Sequence, residues 1–591
     1  KDIFNDINGI KTPSENIFLY RSMNYILNNN TDKYFAKIFW QYIRIKNESF
    51  QIKVQSNRYK GLDYFQTFYS RSTDVGEISG RIKWKMLMEN QFRNKHLKKI
   101  EFRVSFPKGK SSNEIERALR IRLKDFFNSY KLLLEEIEVK ADSLITVPLV
   151  GLIYHMIKRK DDGFNNKCWQ NFCSYDYHWL HYGKLQQEYF AQIRALKSLI
   201  DKIPLLSRYI VGIDAASLEN NTEPWVFAPV YRGIRNGKLR MKETEFDKKI
   251  IKKKKDYYDI RDLKCTFHVG EDFRHILSGL RRIDEVLDCF SYKAGDRLGH
   301  GIALGIDVDR WCVKNEVLIL PRIEHLENLV WIWGLNINSE VNLIDTAYIE
   351  KLIMDNAKTI YRKVEGISAY TLWSSYNLKF DIFKKGYYKE MNSSDKRDYN
   401  SINKLFCRYV DGGDTKLWDE EKLLHSQHCA TYLERMQEPI QIKLNNKDKE
   451  IIKVLQKVIR SKVSKRGVIV ETNPSSNYAI GEIDDIFEHY IFNLNKRGLN
   501  GSTEIDKSIM ATINTDDPSV FNTNISNEIA YIFYALQKKE YSREESLDWI
   551  DKIIKYGISS SFIEDRENTG KALLIEMKTE VNNVLKKLIE T

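Results

Sequence analysis

The stretch "TFHVGED", residues 266–272, closes an apolar run with a histidine and two acids. Burying such groups without partners is costly, so a bound cation or a reaction is the natural reason to place them there. Three further runs end the same way. "RLGHG" presents His300; "ETNPSSN" presents Asn473, Ser475 and Ser476; "TINTDDP" presents the adjacent pair Asp516 and Asp517. Imidazole and carboxylate donors from different strands suit a zinc-type ion. Glu271, three residues past His268, leaves the strand and can reach a metal-bound water as a base. Two neighbouring carboxylates repel unless a cation lies between them. Taken singly the signals are bland: a histidine before glycine is usually a core or turn residue, and "TDDP" is an ordinary cap or turn. Their joint order along the chain carries the information.

The elements that must position them are legible as alternation. Apolar runs occur in "KKIEFRVSFP", "VPLVGLIYHMI", "RYIVGIDAAS", "LKCTFHVGED", "DRLGHGIAL", "RGVIVETNPSSN" and "SIMATINTDDP". Segments of helical period lie between them, such as "SSNEIERALRIRLKDFFNSYKLLLEEI", "KLQQEYFAQIRALKSLI" and "FRHILSGLRRIDEVLDCF". Fully apolar strands alternating with helices predict a parallel sheet covered by helices. Polar clusters at successive C-terminal strand ends predict a TIM-type (β/α)8 barrel. No glycine-rich phosphate fingerprint supports a doubly wound open sheet. Residues 1–96 read as a helical region, 97–322 as barrel strands with their helices, 323–455 as an inserted, mainly helical subdomain, and 456–591 as the last strands and C-terminal helices.

With 591 residues, 42% hydrophobic and 30% charged, the chain can bury a large core. A formal charge of +13 invites polyanion binding, although Lys, Asn and Ile are abundant throughout. The run "DKKIIKKKKDYY", with Lys252 to Lys255 at its centre, reads as a solvated face on the side of the barrel away from the catalytic mouth. The seven cysteines form no CxxC pair, and Cys168 and Cys173 lack zinc spacing, which fits a cytoplasmic protein. The longest apolar run, "LITVPLVGLIYHMI", is too short to span a bilayer, so no membrane association is expected.

"FHVGED", "RLGHG", "NPSSN" and "TINTDDP", in this order, resemble the signature of the adenosine deaminase family, within the metal-dependent hydrolase superfamily. "KKIEFRVSFP" resembles that family's second barrel strand and "VGIDAAS" its fourth. The resemblance runs from about Lys98 to Phe562, interrupted by the insert. It implies a zinc ion (Zn2+) activating water for attack on C6 of adenine, with ammonia leaving. It implies that His268 and Asp516 bind zinc, that Glu271 shuttles the proton and that His300 orients the nucleophile. Asp517 and Ser217 would contact the substrate, Ser217 standing where the family uses a backbone contact to the purine. The family's first strand supplies two further ligands as His-x-His. None exists here; His178 and His181 in "YHWLHYG" have two residues between them. The resemblance therefore places the first strand and its histidines upstream of Lys1.

The long insert and the aromatic-rich opening "ENIFLYRSMNYIL" and "YFAKIFWQYIRIKN" resemble the deaminases of the RADAR anti-phage system. That implies a homo-oligomeric shell, a partner ATPase and adenine nucleotides, ATP or dATP, as substrates. The alternatives are an AMP-deaminase-like enzyme and a shell protein whose site has decayed. The phosphate state, and whether adenines in RNA are substrates, stay open.

Overall fold

The computed structural model describes residues 14–29, 31–54, 80–92, 97–139, 146–161, 181–235, 262–338, 345–381, 417–500, 508–518, 520–521 and 523–590. The lysine run, His178, Cys168 and Cys173 lie outside them. Nine strands occur in this set: β1 (Lys99–Ser105), β2 (Leu149–Ile157), β3 (Ile210–Ala216), β4 (Lys264–Val269), β5 (Arg297–His300), β6 (Val317–Pro321), β7 (Pro439–Lys443), β8 (Ile469–Thr472) and β9 (Ala511–Ile513). Seven of them form one parallel sheet in the order β1-β2-β3-β4-β5-β8-β9. These are the seven apolar runs read from the sequence. Helices cover the sheet, so its strands other than the half-buried β1 are largely buried on both faces and need no polar alternation.

Charged side chains inside the sheet show that it is rolled. Arg103 of β1 donates from Nη1 to Asp214 Oδ2 of β3 at 2.8 Å and also pairs with Glu471 of β8. Arg297 of β5 reaches Glu101 of β1 at 2.6 Å and Glu471 at 2.8 Å. β1 and β8 stand first and sixth in the sheet, so these contacts require the strands to curl round a shared interior. The fold is the TIM-type α/β architecture expected from the alternation. Among the described residues its edges, β1 and β9, are not hydrogen-bonded to each other.

Phe562 and Ile563 pack against the strands away from the polar ends. The Phe562 amide donates to Glu101, and the Arg297 guanidinium lies 3.5 Å above the Phe562 ring. A Cβ at residue 212 would come within 2.8 Å of that ring, which is why β3 carries Gly212 there. Replacing Arg103 with Met should cost about 3 kcal/mol or more, because two buried carboxylates lose their shared cation. Denaturant unfolding checks this; an unchanged midpoint would mean that the interior charges are solvated.

Capping follows the sequence signals. The helix Ser112–Val139 starts with Ser111 Oγ accepting from the Glu114 amide at 3.3 Å, while Glu114 accepts from Lys110 N. The helix Ile276–Cys289 starts on His275, whose Nδ1 accepts from the Leu277 amide at 3.0 Å. Burial pushes the His275 pKa down to about 3, so the folded protein holds it neutral. The unfolded chain, with an ordinary histidine near pH 6.5, then binds the extra proton. Stability is full above that pH and falls as pH drops toward 3. His275→Asn keeps a capping acceptor and removes the titration, so it should reduce the slope of stability against pH by about 1.4 kcal/mol per unit in that window. Urea titrations at several pH values measure the slope.

Between β5 and β8 the chain leaves the sheet. β6 and β7 pair antiparallel, from Val317 with Lys443 to Pro321 with Pro439, and close the base of an excursion built from helices. The helix Arg322–Ile337 of this excursion lies on the helix Ile276–Cys289. Trp331 Nε1 donates to Asp284 at 2.8 Å, and Asn328 Nδ2 to Ser278 at 2.9 Å. Among the described residues no helix is long and apolar enough to cross a membrane.

Candidate active site

The parallel strands all deliver polar residues at their C-terminal ends. His268 is the penultimate residue of β4, and Gly270 (φ 68°) turns the chain so that Glu271 points back over the sheet end. His300 ends β5 with φ 64°, and Asp516 follows β9 with φ 54°. Left-handed backbone at two non-glycine residues is strain that surrounding contacts must hold, and such strain gathers at functional sites. Ser217, just past β3, has φ 85°, a conformation natural to glycine, at the position where the sequence resemblance expects a backbone contact.

His268 Nδ1 lies 3.1 Å from Asp214 Oδ1 and 3.4 Å from Arg103 Nη1. The carboxylate favours a proton on Nδ1 and so leaves the Nε2 lone pair for a cation. Although burial disfavours its charge, Asp214 holds the His268 pKa above the ordinary value. Asp214 itself is held far below the carboxylate range: burial opposes its charge, but His268 and Arg103 outweigh it. Space for the imidazole comes from Gly299 on the paired strand, where a Cβ would lie 3.0 Å from His268 Cγ.

Ligand-type atoms of His268, Glu271 and His300 all lie within 4.8 Å of one another. His300 Nδ1 is 3.4 Å from Glu271 Oε1, and Nε2 is 3.7 Å from Asp516 Oδ2. Asn477 Nδ2 approaches His300 Nδ1 at 2.6 Å and Asn473 Nδ2 approaches Nε2 at 3.0 Å. Tyr490 donates to the His300 carbonyl. Burial pushes the His300 pKa down to about 3, which makes it a neutral hydrogen-bonding group. Ser476 Oγ donates to Asp516 Oδ2 at 2.6 Å.

Glu271 is 8% exposed. Burial pushes its pKa up to about 8; His268 opposes this, and Asp516 and Asp272 add to it. Asp517 rises to about 7, through the surrounding protein mass and the neighbouring Asp516. Asp516 and Asp517 nevertheless stay exposed to solvent. One site therefore holds a carboxyl able to keep its proton near neutral pH, a neutral imidazole and a cation-seeking donor set. That combination can move protons to and from a bound molecule.

Of the residues expected from the sequence, His268, Glu271, His300 and Asp516 come together, with Asn473 and Ser476 supporting them. Ser475 turns instead to Glu528 at 2.6 Å. His181 lies apart, against Tyr182. Sequence reasoning missed Asp214, Arg103 and Glu471, which form the charged layer beneath His268. It also missed Lys158, 1% exposed, whose Nζ donates to the His268 carbonyl. Glu219, which accepts from the Glu271 amide, was missed too. Charged residues inside the apolar runs "EFRVSF", "VGIDAA" and "VIVETN" were the available signal, since buried strands tolerate charges only in compensating sets.

No protein-family model matches the chain, and no curated protein matches it. Among solved structures, an adenine deaminase from Arthrobacter aurescens aligns with a TM-score of 0.38 at 12% identity, over 91% of this chain and 89% of that one. The Arabidopsis ADAL protein complexed with IMP aligns at 0.39 and 12%, over 96% and 92%. The N6-methyl-AMP deaminase of Arabidopsis thaliana aligns at 0.37 and 13%, over 96% and 91%. With overall similarity this low, function has to be argued from the site's own residues.

Proposed function

We propose that this chain is a zinc-dependent hydrolytic deaminase of the adenosine deaminase family, converting adenine to hypoxanthine in adenosine or an adenine nucleotide. The observation that carries the reading is the meeting of His268, Glu271 and His300 at the strand ends, with Asp516 3.7 Å from His300, in the family's motif order. The donor set fits zinc. His268 has an outer carboxylate behind Nδ1, Asp516 is anchored by Ser476, and the donors mix nitrogen and oxygen. A zinc ion held by His268 and Asp516 would supply a Lewis acid able to bring the pKa of water close to neutrality.

The remaining steps belong to the chain. Glu271, carrying its proton near neutral pH, donates it to N1 of the purine ring. The carboxylate so formed takes the protons released by the attacking water, passing one to the departing amine so that ammonia leaves and keeping the other, which restores its acid form. His300 stays neutral and hydrogen-bonds the incoming oxygen, oriented by Asn473 and Asn477. Asp517 and the backbone at Ser217 hold the base. ATP or dATP is the proposed substrate and anti-phage defence the proposed setting. The RADAR-like insert and aromatic-rich opening support this, as do the exposed Tyr20, Tyr34 and Trp40, which suit a homo-oligomer working with a partner ATPase.

The test is ammonia release from adenosine, AMP, ATP and dATP, with metal content measured on the same preparation. Turnover of ATP or dATP with stoichiometric zinc is the expected result. Preference for AMP would favour the AMP-deaminase-like reading. Absence of both metal and turnover would make the chain a scaffold.

A further inference from the structure

The helix Ile276–Cys289 carries two arginines that the sequence would place in solvent, yet Arg281 and Arg282 are 0% and 1% exposed. Arg281 pairs with Glu285 at 2.6 Å, with Glu327 at 2.9 Å and with Glu223 at 3.6 Å. Lys379, also buried, pairs with Glu327 at 2.7 Å, and Tyr376 donates to Glu285. Glu327, Tyr376 and Lys379 all belong to the excursion between β6 and β7. Glu223, Glu285 and Glu327 bring carboxylate oxygens within 4.8 Å of one another, a spacing that could hold a metal. Arg281, Arg282 and Lys379 already pair with them, so three cations balance the three acids.

The chain of charges continues toward the strand ends. Arg282 pairs with Glu223 at 2.9 Å and with Glu219 at 3.6 Å, and donates to Asn220 at 3.0 Å. Arg274 joins Glu324 of the excursion, at 2.7 Å, to the same Asn220 oxygen at 3.2 Å. Glu219, 3% exposed, then accepts from the amides of Glu271 at 3.0 Å and Asp272 at 3.4 Å. Asn220 Nδ2 donates to the Asp272 carbonyl at 3.0 Å. The backbone that aims Glu271 is thus held from below by residues 219 and 220. Those residues are held in turn by Arg282, which shares Glu223 with Arg281, and by Arg274, whose other partner Glu324 lies in the excursion. Charges this close in a poorly solvated interior interact strongly, and losing one strands its neighbour.

We propose that the excursion between β6 and β7 positions Glu271 through the buried chain Lys379–Glu327–Arg281–Glu223–Arg282–Glu219, making Glu219 a positioning residue of the reaction. This rests on the deaminase reading for its effect on turnover, but not for its effect on the backbone. Small misplacements of a reacting group cost rate rather than binding, so the loss belongs in kcat.

Four variants test it. Glu219→Ala should lower kcat about tenfold to a hundredfold with KM almost unchanged. Glu219→Gln, which keeps an acceptor oxygen, should recover most of that loss. Lys379→Met should lower kcat in the same direction, and combined with Glu219→Ala it should add nothing further, because both act through one chain. Tyr376→Phe, which creates no cavity, repeats the Lys379 test if that variant does not fold. Hydrogen exchange of the Glu271 and Asp272 amides should quicken in Glu219→Ala, Lys379→Met and Tyr376→Phe. Unchanged exchange at 271 and 272 in the two excursion variants, or losses in kcat that simply multiply, would overturn the proposal. The exchange measurement needs no turnover. A wild-type protein inactive on every adenine compound would defeat the deaminase reading and still leave the coupling decided.

Discussion

Glu271→Gln is expected to lower turnover by about a hundredfold to ten-thousandfold, the usual span for a general acid–base group, while the bound metal is retained. The geometry explains both halves. Glu271 sits at the end of β4, 8% exposed, with its amide fixed by Glu219 and its Oε1 3.4 Å from His300 Nδ1. Glutamine fits that space and keeps a hydrogen-bonding oxygen, so the loop should stay in place. What it loses is the exchangeable proton, which burial keeps on the carboxyl up to about pH 8. Metal content by elemental analysis and single-turnover ammonia release separate the two effects. Deamination near the wild-type rate would mean that Glu271 is structural and that the proton travels elsewhere.

The parallel sheet was legible because buried parallel strands are continuous apolar runs, and each of the seven ends on polar residues. The β6–β7 pair was not. Val317 and Ile319 are apolar yet 53% and 60% exposed, so "VLIL" shows no alternation from which an edge pair could be read. "GLRRIDEVLD" reads as an amphipathic helix with a solvated arginine pair. The arginines are buried because the helix Arg322–Ile337, about 45 residues further along, lies over them. No local pattern carries a partner that distant.

The site was legible in part for the same reason. His268, Glu271, His300 and Asp516 each lie at or within three residues of a strand's C-terminal end, so counting strands suffices to bring them together. Asp214, Arg103 and Glu471 lie inside strands, and their meaning depends on which strands face one another across the rolled sheet. Arg103, Asp214 and Glu471, from three separate apolar runs, can be recognised as ion-pair partners only once that geometry is known.

Asp516 carries the second large effect. Its φ of 54° places it where most side chains clash with the backbone, and aspartate and asparagine are the non-glycine residues that tolerate this best. Asp516→Ala would therefore mix loss of a ligand with backbone strain of about 1 kcal/mol. Asp516→Asn separates them, because it keeps the left-handed turn and can still accept from Ser476, 2.6 Å away, while removing the negative charge. Both variants should lose zinc and deaminase activity together, with most of the barrel folded. Asp516→Asn should show nearly the wild-type thermal midpoint measured without metal. The pKa of Asp517 should fall, since Asp516 no longer repels its charge. That fall would show in the pH dependence of any residual substrate binding, as a step moved to more acidic pH. Full zinc occupancy in Asp516→Asn would remove Asp516 from the ligand set. The carboxylate within reach of the cluster would then be Glu271, already within 4.8 Å of His268 and His300. In that arrangement Glu271→Gln would lose metal as well as turnover, so the two variants together determine which acid holds the ion and which moves the proton.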